Sequence, residues 1–194
     1  MILVMGGSCS GKSSFAEELV EKLAAEDSSG VCSKYYIATM EAQDGESLER
    51  IARHRRMRAG KGFVTIEQGR DIAQAVEQME DTLSGGNFGG RTVQASRAGL
   101  LECMSNLVAN EMFGGEEILP GNVVSEKIGK EIDLLSKSLR HLVIVTNNVF
   151  EDGVRYDEAT MEYLDALGKV NQKIAAEADR VYEVVVGIPF SIKG

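Results

Sequence analysis

The chain has 194 residues, of which 43% are hydrophobic and 26% charged, with a formal net charge of −9. The length and balance are typical of a soluble globular protein and suit one domain spanning residues 1–194. The net negative charge argues against non-specific binding to nucleic acid or anionic membrane, since both need a cationic surface. No apolar run approaches the roughly 20 residues of a membrane span.

Strands and helices are predicted to alternate in the first half of the chain. Apolar runs predict strands at Ile2–Met5 and Tyr35–Thr39. Apolar residues three or four apart predict helices at Lys12–Glu26, Glu46–Arg58 and Asp71–Leu83. The glycine-rich stretch that follows, Ser84–Gly90, is predicted to be a mobile loop.

The second half continues the alternation. Strands are predicted at Ala98–Cys103, Leu142–Thr146 and Val181–Val186, and a turn then leads into a short strand that ends at Lys193. The predicted helices are Met104–Met112, Val123–Leu139 and Asp157–Ala178, with Gly114–Gly121 as a connector between the first two. The pattern predicts an α/β fold: a mostly parallel sheet with helices on both faces and a C-terminal antiparallel edge hairpin.

The first predicted strand runs into a phosphate-binding signature. Residues 6–13 fit the pattern G-x-x-x-x-G-K-S, with a strand before it and a helix after it. Its glycines let successive N–H groups point at a phosphate, and the helix N-terminus adds positive partial charge. Lys12 is expected to reach the β- and γ-phosphates, and the Ser13 hydroxyl to ligate Mg²⁺. The candidate contacts are Gly6, Gly7, Ser8, Cys9, Ser10, Gly11, Lys12 and Ser13.

An acid that assists Mg²⁺ is expected after a later strand. Glu102 is the best-placed candidate. It ends an apolar stretch of the sequence, where an acid is unusual unless it has a function. The alternative is an ordinary acid at an exposed strand end.

The cysteines point to a reducing compartment. There are three cysteines, Cys9, Cys32 and Cys103, and the odd number does not suggest a framework of disulfides. They form no C-x-x-C or Cys/His cluster in the sequence, so a zinc site is not indicated either. A cytoplasmic location is the natural expectation. Cys9 is interpreted as a small residue that fits the phosphate loop, with a redox-sensitive loop as the sharper alternative.

His54 lies in a basic segment. Between Arg50 and Lys61 there are six cations and no acid. The simplest interpretation is a solvated helix face. However, like charges at helical spacing repel one another, and a bound polyphosphate would relieve that repulsion. Neighbouring cations also favour a neutral imidazole, whose free nitrogen is a nucleophile near neutral pH. The other histidine, His141, is expected to be structural.

Several segments together resemble the bifunctional adenosylcobinamide kinase/adenosylcobinamide-phosphate guanylyltransferase family of cobalamin biosynthesis. They are ILVMGGSCSGKS, YYIAT, RIARHR, LLEC, VIVTN, KVNQKIAAEAD and VVVGIPFSIK, which occur in family order across nearly the whole chain. The phosphate loop alone is too common to decide. The YIAT strand followed by RIxxHR, and the VNQxxAxxAD helix, are far more specific.

The resemblance implies two reactions. A nucleoside triphosphate, ATP or GTP, phosphorylates the aminopropanol hydroxyl of adenosylcobinamide. GMP from GTP is then carried on a histidine, which falls on His54, to adenosylcobinamide phosphate. The resemblance also implies a P-loop NTPase fold of the RecA-like kind, a homotrimer, corrinoid substrates and further nucleotide contacts from Ala38, Thr39, Arg55, Arg58, Glu67 and Glu102.

The chain departs from the family pattern at identifiable positions. Cys9 and Ser14 stand where the family loop carries arginines, and Asn148 and Phe150 stand where it carries a glutamate and a glycine. Two alternatives therefore stay open. One is a P-loop kinase of another small molecule, in which His54 is only an electrostatic contact. The other is a regulator that binds GTP without turnover.

Overall fold

A seven-stranded sheet forms the centre of the molecule. The computed structural model describes residues 1–28, 31–41, 59–84, 96–150 and 153–194, together with Gly45, Glu49, Ala52, Arg55 and Arg56. The strands are β1 Ile2–Gly6, β2 Cys32–Ala38, β3 Phe63–Glu67, β4 Ser96–Glu102, β5 His141–Asn147, β6 Arg180–Val185 and β7 Ile188–Lys193. The helices are α1 Lys12–Ala25, α2 Gln74–Ser84, α3 Met104–Phe113, α4 Gly121–Ser138 and α5 Glu158–Glu177.

The sheet has the order β3-β2-β4-β5-β1-β6-β7. Every neighbouring pair is parallel except β6 and β7, which form the antiparallel hairpin predicted at the C-terminus. The predicted fold class is therefore confirmed. The central strands are buried on both faces, as expected of a parallel sheet covered by helices.

Each face of the sheet builds its own apolar core. Successive side chains on a strand point to opposite faces, so Val4 packs toward α1 with Ala16 and Val20, while Leu3 packs on the other side. That other face is covered by α3, α4 and α5, whose Leu107, Ile128, Leu167 and other apolar residues form the larger core. None of the helices among the described residues is long and apolar enough to cross a membrane.

β3 is the one strand of the described sheet that the sequence patterns do not predict. It is an edge strand, and of its five residues only Ile66 is buried. Because little of it is buried, it shows no continuous apolar run. The β-branched residues Val64, Thr65 and Ile66 are the signal that could have identified it.

Two predicted segments are only partly described. In the predicted helix Glu46–Arg58, Glu49, Ala52, Arg55 and Arg56 have helical backbone. Residues 85–90 of the predicted loop lie outside the described residues, while Ser84 ends α2.

Candidate functional site

The carboxyl edge of the parallel strands brings four of the predicted site residues into one row. Gly6 at the end of β1 lies opposite Asn147 of β5, and Ala38 of β2 lies opposite both Glu67 of β3 and Glu102 of β4. Ligands of open α/β sheets bind outside this edge, because loops and helix N-termini converge there. The sheet order places Glu102 two strands from the phosphate loop and Glu67 four strands from it.

The phosphate loop curls tightly between β1 and α1. Gly11 has a φ of 93°, a left-handed conformation that favours glycine. A Cβ on Gly6 would lie 2.6 Å from both the Ser10 hydroxyl and the Val184 carbonyl oxygen, so only glycine fits. The Ser10 Oγ is buried and has no hydrogen-bond partner among the described residues. These features are those of a loop shaped around a polar ligand.

The C-terminal hairpin supports this loop. The Gly187 N–H donates a hydrogen bond of 2.7 Å to the Ser10 carbonyl oxygen, and a Cβ on Gly11 would lie 3.2 Å from Gly187 Cα. The β6–β7 turn therefore packs directly against the loop. Sequence patterns do not predict this contact, because the two segments are more than 170 residues apart.

Ser8 and Cys9 form the exposed tip of the loop. Cys9 has a φ of 57° and its thiol is exposed, with the Ser8 hydroxyl 3.9 Å from its sulfur. This placement agrees with the interpretation that Cys9 serves the loop through its backbone.

Lys12 occupies the first turn of α1 and is buried. Its ammonium group donates a 3.2 Å hydrogen bond to the Gly7 carbonyl oxygen, and it forms no ion pair with a carboxylate in the described parts of the chain. A buried cation without a counter-charge is costly, and an anionic ligand in the loop would offset that cost.

Ser13, Tyr36 and Glu102 meet beside the loop. The Ser13 hydroxyl donates to Oε1 of Glu102, and the Tyr36 hydroxyl donates to its Oε2 at 2.8 Å. Glu102 is half-buried rather than fully exposed, so the interpretation of it as an ordinary exposed acid does not fit. A hydroxyl and a carboxylate at this place are the oxygen ligands that Mg²⁺ prefers, and they leave its other positions for phosphate and water. The residues present therefore fit a magnesium ion.

Thr39 acts inside the protein. It is fully buried, and its hydroxyl donates to the Cys103 carbonyl oxygen at 2.8 Å and accepts from the Cys103 N–H at 2.7 Å. Its backbone N–H also donates to the Glu102 carbonyl oxygen at 3.0 Å. The Thr39 side chain thus anchors the end of β4 next to Glu102, and the predicted contact of Thr39 with a nucleotide stays a prediction. Burial raises the pKa of the Cys103 thiol, which keeps it protonated at neutral pH.

A second group of predicted residues lines a cavity beside β3. Arg55 donates a hydrogen bond to Glu67 Oε1, and both side chains are more than half exposed, at 57% and 61%. They line a cavity of about 530 Å³ together with Phe63 and Thr65. We call this the Arg55–Glu67 cavity.

Tertiary contacts supply acids to the basic segment that its own sequence lacks. Besides the Arg55–Glu67 pair, Lys61 donates to Glu17 of α1 at 2.6 Å, and this hydrogen bond raises the pKa of Lys61. Among the described residues of the segment, Arg55 and Lys61 are therefore paired, which weakens the argument that its repulsion calls for a bound anion.

Of the two histidines, His141 lies within the described residues. His54 and Arg58 lie outside the described residues, so their predicted roles stay predictions. His141 begins β5, and its Nε2 lies 3.1 Å from Oδ2 of Asp27, which Arg140 also contacts at 2.9 Å. This pairing fits the structural role expected of His141.

Three relatives are similar to this chain over nearly their whole length. The chain is 32% identical to the bifunctional adenosylcobalamin biosynthesis protein CobU of Escherichia coli (strain K12), with 100% of this chain and 99% of the relative covered. It is 34% identical to CobU of Salmonella typhimurium (100% and 99% covered) and 29% identical to the bifunctional protein CobP of Pseudomonas aeruginosa (99% and 96% covered).

A solved structure and a family profile complete the comparison. A KaiC-like protein from Pyrococcus horikoshii OT3 superposes with a TM-score of 0.50 at 14% identity, covering 94% of this chain and 69% of that one, which supports the fold alone. The profile of the family described as cobinamide kinase / cobinamide phosphate guanyltransferase matches residues 2–192. The chain therefore belongs to the cobinamide kinase / cobinamide phosphate guanyltransferase family.

Proposed function

We propose that this chain carries out both reactions named for its family. In the first, a nucleoside triphosphate, ATP or GTP, phosphorylates a hydroxyl of adenosylcobinamide. In the second, GMP from GTP is transferred to the phosphate so formed. The observation that carries the proposal is the hydrogen bond between Ser13 and Glu102 beside the phosphate loop, in which the neighbouring Lys12 is buried and bonds to Gly7. A single domain spanning residues 1–194 is part of the proposal.

For phosphoryl transfer, the chain supplies position and charge more than covalent chemistry. The backbone N–H groups of residues 6–13 and the N-terminus of α1 bind the phosphates, and Lys12 neutralises their charge. Ser13 and Glu102 are the residues that would hold Mg²⁺, which when bound neutralises phosphate oxygens. Tyr36 orients Glu102 through its 2.8 Å hydrogen bond. The oxygen of the acceptor hydroxyl attacks the γ-phosphorus and gives up its proton to solvent. The bond between the γ-phosphorus and the bridging oxygen breaks, and the nucleoside diphosphate leaves.

For guanylyl transfer, we assign the nucleophile to His54. A ring nitrogen attacks the α-phosphorus of GTP, the bond to the β-phosphate oxygen breaks, and pyrophosphate leaves. A phosphate oxygen of the corrinoid then attacks the same phosphorus, the P–N bond breaks, and the imidazole is restored. Arg55, Arg58, Ala38 and Glu67 are proposed to contact the nucleotide, with the Arg55–Glu67 cavity as the place for part of it.

The proposal is tested by trapping the covalent intermediate. The protein is incubated with Mg²⁺ and GTP labelled at the α-phosphate, and the label is tested for the acid lability and base stability of a phosphoramidate. We expect label on the wild-type protein and none on His54→Ala. A control, His141→Asn, keeps a hydrogen-bonding group near Asp27 and should label like the wild type.

Other outcomes identify the alternatives. If no label forms but γ-phosphate passes to a small acceptor, the chain is a kinase and the guanylyl step is wrong. If GTP binds tightly and neither group is transferred, the chain is a regulator without turnover.

We further propose a homo-oligomer, a trimer by the family resemblance, in a reducing cytoplasm. Ile188, Phe190 and Ile192 alternate along the edge strand β7 and are all exposed. An exposed apolar edge strand is a liability unless another surface covers it. A light-scattering mass three times that of the chain is expected, and Phe190→Glu should lower it. A monomeric wild type would contradict this assembly.

A further inference from the structure

A second cavity lies on the face of the sheet opposite α1. It has a volume of about 520 Å³ and lies between the segment that follows β5 and one side of α5. Its apolar wall is formed by Val149, Phe150, Val154, Met161 and Leu164. We call it the α5 groove.

The helix α5 presents two different apolar faces. Leu167, Val170 and Ile174 are buried in the core against the neighbouring helices. Met161, Leu164 and Gly168 recur at intervals of three and four on another side and line the groove instead. This second apolar side lies outside the core that Leu167, Val170 and Ile174 help to form.

Large apolar side chains are exposed around the groove. The exposed fractions are 43% for Phe150, 55% for Val154 and 44% for Met161. Isolated exposed apolar residues are common, but a contiguous group around a concavity is typical of a binding surface. Phe150 leans toward Gly168, where a Cβ would be 3.9 Å from its ring. A side chain longer than a methyl group at position 168 would therefore enter the groove.

The groove begins at the phosphate loop. The Asn148 N–H donates a 3.0 Å hydrogen bond to the Gly6 carbonyl oxygen, and Val149 and Phe150 follow directly. Two residues extend at most about 7 Å, so the wall of the groove starts within a short reach of the loop. A molecule bound there can present a hydroxyl or phosphate to a nucleotide in the loop.

Polar groups form the rim. Asp165 and Lys169 are paired at 2.6 Å across one turn of α5, and Gln172 lies one turn further along. Together they offer hydrogen-bond donors and acceptors above an apolar wall. An occupant should therefore have an apolar body with amide-like groups at its edge.

We propose that the α5 groove binds the corrinoid acceptor. The apolar edge of the macrocycle packs on Phe150, Met161 and Leu164, and its peripheral amides bond to the rim. This inference rests on the proposed function, since the family supplies cobinamide as the acceptor. A cobinamide is larger than the cavity, so the groove takes one edge of the ring and leaves the side arm free to reach the phosphate loop.

Two variants test the groove without disturbing the nucleotide residues. Gly168→Leu fills the groove, and leucine favours a helix more than glycine does, so the fold should persist. Met161→Glu places a charge on the exposed apolar wall. The control is Leu134→Glu, which places the same charge on an exposed leucine of α4 outside the groove. Binding of cobinamide is followed by equilibrium dialysis using its visible absorbance, and self-labelling from α-labelled GTP is measured in parallel.

For both groove variants, we expect cobinamide affinity to fall about tenfold or more, the scale of lost apolar contact in a pocket. Self-labelling from GTP should stay at the wild-type rate, and the control should match the wild type in both assays. Cobinamide affinity within twofold of the wild type in both groove variants would overturn the proposal. So would a changed oligomeric mass with unchanged affinity, which would assign the face to a second copy of the chain.

The two proposals fail in different ways. A wild type that binds cobinamide but takes no label from GTP contradicts the guanylyl step, and loss of that binding in Gly168→Leu still supports the groove. A wild type that takes label but keeps full cobinamide affinity in both variants contradicts only the groove.

Discussion

The phosphate loop and the Arg55–Glu67 cavity are associated with strands four places apart in the same sheet and hold their charges differently. Four inter-strand spacings separate β1 from β3, or about 19 Å at ~4.8 Å each. At the loop, Lys12 is buried, and Glu102 is fixed by hydroxyls from Ser13 and Tyr36. In the cavity, Arg55 and Glu67 are both largely exposed and pair with each other.

The two regions therefore differ in how easily a ligand can displace the contacts that their charged side chains make. An exposed ion pair contributes about 0–1 kcal/mol, so a ligand can displace it at little cost. Buried polar groups that bond to one another are far harder to rearrange. We infer that the phosphate loop is pre-organised and that the cavity adapts to what it binds.

The largest expected effect is at Lys12. Lys12→Met keeps most of the buried stem but removes the charge, so nucleotide turnover should fall about 10²–10³-fold in both reactions. Steady-state rates of phosphoryl and guanylyl transfer check this. The control is Lys22→Ala, an exposed lysine of the same helix whose partner is Glu26. Loss of only one reaction would show that the two do not share the phosphate loop.

Glu102 should come next. Glu102→Gln removes the charge but keeps the shape, so the concentration of Mg²⁺ needed for half-maximal rate should rise about 10–100-fold. Tyr36→Phe removes only one hydrogen bond to that carboxylate and should have a smaller effect in the same direction. Magnesium titrations of the rate distinguish the two. An unchanged magnesium requirement in Glu102→Gln would mean that the ion is held elsewhere.

A weaker effect is expected in the cavity. Arg55→Ala should raise the KM for GTP by at most about fivefold, because an ion pair between this exposed guanidinium and the nucleotide is worth ~1 kcal/mol or less. The free energy of unfolding should stay unchanged in urea titrations, as in the matched exposed pair variant Glu26→Ala. A loss of GTP turnover as large as that expected for Lys12→Met would mean that the Arg55–Glu67 cavity contributes as much to the reaction as the phosphate loop does.

The smallest expected effect is on the stability of the fold and not on the functional site. Burial raises the pKa of Glu131 on α4, and its Oε2 is buried without a partner among the described residues. The folded state then binds this proton more tightly than the unfolded state, so stability is lost as pH rises above the ordinary glutamate value. Glu131→Gln should therefore be more stable than the wild type at pH 7.5, with the gap closing toward pH 4.

Urea unfolding at the two pH values measures this gap, and turnover should be unaffected. Glu126→Gln, on an exposed face of the same helix, should show no pH-dependent gain. A Glu131→Gln variant that is less stable at pH 7.5 would mean that its charge is used in the fold.

Local signals were sufficient for most of the fold. The continuous apolar runs of β1 and β5, the helical spacing in α1 and α5, and the glycines of residues 6–11 depend only on neighbours in the chain. Local signals do not predict β3, because only one side chain of this edge strand is buried, and they do not predict the hydrogen bonds between Thr39 and Cys103, because the two residues are 64 positions apart.

Short-range patterns in the sequence are sufficient to predict the phosphate loop, the likeness of the motifs to one family and the described strands and helices other than β3. Only the tertiary structure decided that Ser13 and Tyr36 meet Glu102, that the β6–β7 turn supports Ser10, and that Glu67 and Glu17 neutralise part of the basic segment. The physical reason is that parallel strands bring distant residues to one edge, and pairings across it depend on strand order and register rather than on neighbours in the chain.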